Sequence, residues 1–139
     1  MTTLNSELLI DSNILRENIF YIKSKLKNQT NFMSVIKSDA YGHNLEFIIN
    51  DIDDISDGYG VVRIEEAIKI RKLSDKKILL MQGVYTDTDY QLARENNLDL
   101  VVHNNDQFSL IRKHNNFNNL WLKVNTCLLY TSDAADDAS

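Results

Sequence analysis

Proline is absent from all 139 residues, and cysteine occurs once, at Cys127. A single thiol excludes an internal disulfide framework, and Cys127 has no neighbours at metal-ligand spacing, so no metal site is expected. The missing proline, against an average use of about 5%, goes with an abundance of asparagine. Together they read as compositional drift from an AT-rich genome and say nothing of function. No apolar run approaches the ~20 residues of a membrane span, and the start Met1-Thr2-Thr3-Leu4-Asn5-Ser6 lacks the basic-then-apolar order of a secretory leader. Basic patches are missing too. A net charge of -5 and a pI near 5.1 argue against general nucleic-acid affinity, which needs clustered Lys and Arg. The expectation is a cytoplasmic protein with neither a membrane nor a nucleic acid as partner. Neither Gly-x-Gly-x-x-Gly nor Gly-x-x-x-x-Gly-Lys-Ser/Thr follows any predicted strand, which removes the usual dinucleotide and P-loop readings.

What is present is an ordinary globular composition, 43% hydrophobic and 25% charged, with short apolar runs alternating with helix-period segments about every 20 residues. A first helix is predicted from about Ser12 to Lys27, with Leu15, Ile19, Ile22 and Leu26 at helical spacing and Asp11 or Ser12 as its cap. Strands are predicted at Phe32 to Lys37, Gly58 to Val62, Ile78 to Met81, Leu98 to Val102 and Leu120 to Val124. Helices between them run from about Asn44 to Asn50 (burying Leu45, Ile48 and Ile49) and from Ile64 to Leu73 (Ile64, Ala67, Ile68 and Arg71 along one side). Two more are predicted from Thr86 or Asp87 to about Asn96, and from Asn104 or Asn105 through Phe108 and Ile111. Parallel strands joined by helices leave two architectures, a (β/α)₈ barrel or an open doubly wound sheet.

The string Ser34-Val35-Ile36-Lys37-Ser38-Asp39-Ala40-Tyr41-Gly42-His43 is the most informative stretch. It delivers a lone lysine from the end of a buried strand into a loop holding a phenol, a glycine and a histidine. Taken singly, a lysine after a strand is a solvated charge, Tyr41 a half-buried packing residue and His43 a surface histidine. An amine becomes a nucleophile when its surroundings disfavour the ammonium form, and the apolar pair Val35-Ile36 could contribute that desolvation. Gly42 permits a sharp turn or the close approach of a ligand.

Through Val35, Ile36, Lys37, Ala40, Tyr41, Gly42 and His43 the string closely resembles the pyridoxal-phosphate lysine motif of alanine racemases. Fainter echoes occur at Glu65-Glu66-Ala67, at Val101-Val102-His103 with Gln107, and at Leu122-Lys123-Val124-Asn125-Thr126, where Asn125 replaces the family's aspartate. Asn18 also stands where the family often has asparagine, and reads more simply as a surface helix residue. The resemblance selects the barrel, whose catalytic groups lie at the C-terminal ends of strands, where Lys37 falls.

The resemblance implies pyridoxal 5'-phosphate as cofactor, carried covalently on Lys37, with Tyr41 reaching its phosphate. It gives His43 a place near the site and no chemical role. Lys123 matches a family lysine that is often carbamylated and holds a substrate-binding arginine; read alone, it is a solvent-facing strand-end lysine. The implied activity is racemisation of L-alanine to D-alanine for bacterial peptidoglycan, in a homodimer acting on a small amino acid. Lys37 would serve D-alanine, and a tyrosine of the second subunit L-alanine. A racemase for serine or another small amino acid shares this half. So does a non-catalytic pyridoxal-phosphate carrier on the same barrel, although carriers share the lysine and not the Ala-Tyr-Gly-His continuation.

A whole barrel takes ~250 residues. The five strands seen here are therefore read as the N-terminal part of a longer, truncated barrel, over residues 1–126. Alone, this piece is expected to fold poorly, through open strand edges, and to be inactive. Residues 127–139, Ala/Asp-rich and free of Asn, Lys and Arg, read as a non-native tail of translated adapter sequence.

Overall fold

The computed structural model describes residues 7–115 and 119–124. Helices and strands follow one another as α1 (Ser12–Lys25), β1 (Met33–Val35), α2 (Lys37–Gly42), α3 (Leu45–Ile52), β2 (Gly58–Val61) and α4 (Ile64–Arg71), then β3 (Lys77–Leu80), α5 (Asp87–Glu95), β4 (Asp99–Val102), α6 (Asn105–His114) and β5 (Leu120–Leu122). The boundary drawn at residue 126, and the tail with Cys127, lie outside the described residues.

Side-chain caps set the helix starts. Asp11 accepts from the N–H groups of Asn13 and Ile14, Asn44 from Phe47, Thr86 from Asp89 and Asn104 from Gln107. Each satisfies donors that a first helical turn leaves free, and the alternatives open in the sequence resolve to Asp11, Thr86 and Asn104.

All five strands are parallel and hydrogen-bonded in the order β1-β2-β3-β4-β5. A doubly wound sheet reverses its order at a switch point, whereas here every strand is added on the same side of the last. That is the order of a barrel wall. One face of the sheet carries Tyr59, Val61, Ile78, Leu80, Leu100 and Val102, which pack with Ile48, Ile49, Ala67, Ile70 and Tyr90 of the helices into one core. Alternate positions meet on the opposite face, where a Cβ added to Gly60 would lie 3.0 Å from Met81 Sδ and 3.4 Å from Val35 Cγ2. In a barrel this second face is the interior. Tyr59 is fully buried, and its hydroxyl donates to Asp53 at 2.9 Å. Burial, followed by that carboxylate, holds the phenol well above its ordinary pKa.

Two expectations need correction. Strand β1 stops at Val35, because Ile36 leaves the extended region (φ -126°, ψ 34°), so Lys37 stands beyond the strand instead of ending it. Ile22 is 46% exposed; Ile19 is the buried residue of α1. Polar contacts hold the rest of the helix. Arg16 pairs with Asp54 through both guanidinium ends at 2.7 Å, and Lys23 donates to Ile55 O at 2.7 Å and to Asp57 at 3.2 Å.

Asp57 also accepts from the Phe32 N–H at 2.7 Å, which ties the entry of β1 to the entry of β2. That backbone bond first, then Lys23, lowers the Asp57 pKa from its ordinary 3.8. A depressed folded-state pKa contributes stability that is complete above the unfolded value and is lost as pH falls through the folded one. Acid unfolding below about pH 4 should therefore draw on Asp57. An Asp57→Asn variant should melt lower than wild type at neutral pH, with the gap closing as the solution is acidified; a gap independent of pH would contradict the assignment.

Candidate active site

Lys37 comes just after β1 at the C-terminal end of the sheet and is half-buried. Ile36 before it is 5% exposed and belongs to the helix-side core, whereas Val35 lies on the other face and is 40% exposed. The two side chains thus lie on opposite faces of the sheet. None of the ion pairs among the described residues uses Lys37. Its Nζ lies 5.8 Å from the centroid of the Tyr41 ring, within cation–π range.

The backbone immediately after Lys37 is the least ordinary among the described residues. Ser38, Asp39, Ala40 and Tyr41 all have φ between 54° and 57°, with ψ from 35° to 52°: one turn of left-handed helix built from L-residues other than glycine. Such a conformation costs about 1–2 kcal/mol per residue and normally occurs at single positions. Gly42 continues the positive φ at 82°, where glycine alone is unstrained.

The turn persists because its surroundings hold it. Ala40 is buried in the core and its N–H donates to Ile36 O at 3.0 Å. Ala40 O accepts from the His43 N–H at 3.1 Å and from His43 Nδ1 at 2.7 Å, so the imidazole carries its proton on Nδ1. This gives His43 a structural place beside the lysine. Asp39 Oδ1 accepts from the Leu45 N–H at 2.9 Å, helping to cap α3, and the Asp39 N–H donates to Glu66 Oε1 at 3.1 Å. Glu66 Oε2 in turn accepts from the Arg63 N–H at 3.4 Å, at the start of α4. Between turn and helix lies a polar cleft lined by Ser38, Asp39, Arg63, Glu65, Glu66 and Lys69.

The structure therefore brings Lys37 and Tyr41 together, with Tyr41 59% exposed. Lys123 it places apart, just past β5, its backbone N–H donating to Val102 O at 2.9 Å and its side chain exposed. Asn18 is exposed on α1, as the simpler reading had it. Among the described residues no group of His, Cys, Asp and Glu could hold a metal ion, and no helix is long and apolar enough to cross a membrane. Asp39 and Glu66 have roles that sequence reasoning missed. The signals were an acidic residue in the motif and the Glu65-Glu66-Ala67 echo, which falls in the first turn of α4.

A consecutive parallel wall with a strained lysine turn at its C-terminal edge defines the class: the lysine-bearing part of a (β/α)₈ barrel. The chain belongs to the alanine racemase family, since the model of the alanine racemase N-terminal domain matches residues 10–129. It is 38% identical over 120 residues to an alanine racemase of Mannheimia succiniciproducens, a match covering 84% of this chain and 33% of that protein. With the alanine racemase of Vibrio atlanticus it shares 41% identity over 103 residues, covering 73% of this chain and 28% of the relative. The biosynthetic alanine racemase of Pseudomonas aeruginosa superimposes with a TM-score of 0.74 at 28% identity, over 81% of this chain and 32% of that one. For the Acinetobacter baumannii enzyme the TM-score is 0.70 at 29% identity, over 76% and 31%. The chain thus spans about a third of the length of the curated relatives it matches.

Proposed function

We propose that the full-length protein is a pyridoxal 5'-phosphate-dependent racemase that interconverts L- and D-alanine. In this reading it acts as a homodimer in the bacterial cytoplasm and supplies D-alanine for peptidoglycan. The observation that carries the reading is Lys37, a half-buried residue with no carboxylate partner among the described residues, standing just past β1 at the root of a left-handed turn. Strained backbone persists where the surroundings over-determine it, and it gathers at functional sites.

The residues suit the cofactor. An amine with no carboxylate partner among the described residues is available to an aldehyde, and an exposed phenol is available to a phosphate. When bound, the cofactor supplies the electron sink that makes an amino acid's α-proton acidic. Lys37 would hold it covalently through Nζ and, as an amine, would serve as a base toward one face of the α-carbon. Tyr41 donates its hydroxyl to the phosphate. Inversion needs a second base on the opposite face, here assigned to a tyrosine of the second subunit. Lys123, at the end of β5, is the candidate for a carbamylated lysine that holds a substrate-binding arginine.

Borohydride reduction of the full-length protein, combined with peptide mass mapping, should place a pyridoxyl group on Lys37; its appearance on Lys123 or elsewhere would sink the assignment. Replacing Tyr41 by phenylalanine removes one hydrogen bond to a charged group, a loss of about 1.5–3 kcal/mol in cofactor affinity. A titration of the apoprotein showing unchanged affinity would rule out the phosphate contact.

A further inference from the structure

We infer that Glu66 is a positioning residue for the lysine site: its carboxylate pins the left-handed turn that sets the direction in which Lys37 and Tyr41 face. The inference rests on the reading of Lys37 as the cofactor lysine. Four successive L-residues at positive φ prefer the right-handed region by a clear margin, so the turn needs acceptors for whatever N–H groups it turns outward. Ala40 finds one within its own segment, at Ile36 O. Asp39 does not, and its N–H is taken by Glu66 Oε1 at 3.1 Å, from the first turn of α4 in the next βα unit. The other oxygen of the same carboxylate takes the Arg63 N–H, which fixes Glu66 to the end of β2. The side chain of Asp39 is already committed to Leu45, at the start of α3. Glu66 is thus the cross-strand tie of the turn.

Removing this acceptor leaves the Asp39 N–H to water and lets the segment Ser38–Tyr41 relax toward ordinary backbone. The lysine at its root and the phenol at its tip then lose their shared orientation. The fold should survive, since Ala67 and Ile70, not Glu66, carry the burial of α4. Glu65, exposed beside it and without a bond to the turn, is the internal control.

The test uses the full-length protein with Glu66→Ala, Glu66→Gln and Glu65→Ala variants. Cofactor affinity is read by titrating apoprotein with pyridoxal 5'-phosphate, and covalent attachment by the rate of pyridoxyl-Lys37 formation under borohydride. A thermal melt of each apoprotein monitors folding. Glu66→Ala should weaken affinity and slow attachment roughly tenfold, the order expected for one charge-assisted hydrogen bond. Glu66→Gln, which keeps an oxygen acceptor, should recover most of the loss, and Glu65→Ala should match wild type. Equal affinity and attachment in Glu66→Ala and wild type would overturn the positioning role while leaving the site reading intact. A wild type that takes no cofactor on Lys37 would overturn the site reading, and the positioning role with it.

Discussion

If the full-length protein has the proposed function, replacing Lys37 by alanine should abolish borohydride labelling and lower alanine racemisation roughly 10³-fold or more, because on that reading the substitution removes both the covalent anchor and one of the two bases. Stability should change little. Lys37 makes no ion pair among the described residues, and its one aromatic contact, to Tyr41, is 5.8 Å long. Loss of activity with an unshifted melt would separate a chemical role from a structural one. Retention of more than a tenth of wild-type turnover would be incompatible with Lys37 as base and anchor.

Strand positions and helix starts were legible in the sequence, because alternation of buried runs such as Leu98 to Val102 with helix-period segments results from burial on both faces of a parallel sheet. Sheet order was not: periodicity places a strand in the chain and leaves open which neighbour it pairs with, so the barrel rested on the lysine motif until the order β1 to β5 appeared. The stripe of α1 was over-read at Ile22, since an apolar residue at helical spacing need not meet a neighbour, and the α1 contacts to Asp54 and Asp57 come from Arg16 and Lys23.

The candidate residues could be named from the sequence, and the shape that holds them could not. Lys37, Tyr41 and His43 could be singled out by type and order. The left-handed turn that orients them could not, because Ser38, Ala40 and Tyr41 have no intrinsic preference for positive φ; among the four, only Asp39 tolerates it readily. A tertiary bond to Glu66 and a local one from His43 to Ala40 O oppose local preference there, and a chain of single residues gives no direct sign of a bond made across 27 positions.

Arg71 carries the second large effect. Sequence spacing placed it along one side of α4 with Ile64, Ala67 and Ile68, unusual company for a guanidinium. The structure shows why it is tolerated there. Nε donates to Asn96 O at 2.9 Å, Nη1 to Ser74 O and Lys76 O at 3.0 Å each, and Nη2 to Asn97 O at 3.2 Å. One planar fork therefore satisfies four carbonyls, two from the loop leading into β3 and two from the loop leading into β4. It locks adjacent βα units at the end of the barrel opposite Lys37, where a barrel keeps stability and not chemistry. Truncation to alanine leaves several of those oxygens without a donor and should cost about 2–4 kcal/mol, less than the sum of four separate bonds because they share one group. Arg71→Lys should recover only a minor part, since a point charge cannot span the four acceptors. The check is the urea midpoint of the full-length protein monitored by far-UV circular dichroism, with cofactor affinity measured alongside. A lowered midpoint with unchanged affinity is the expected pair. An Arg71→Ala midpoint within error of wild type would mean that water replaces the guanidinium at no cost, and that the tie between the two loops is held by packing of Ile70 and Ala93 instead.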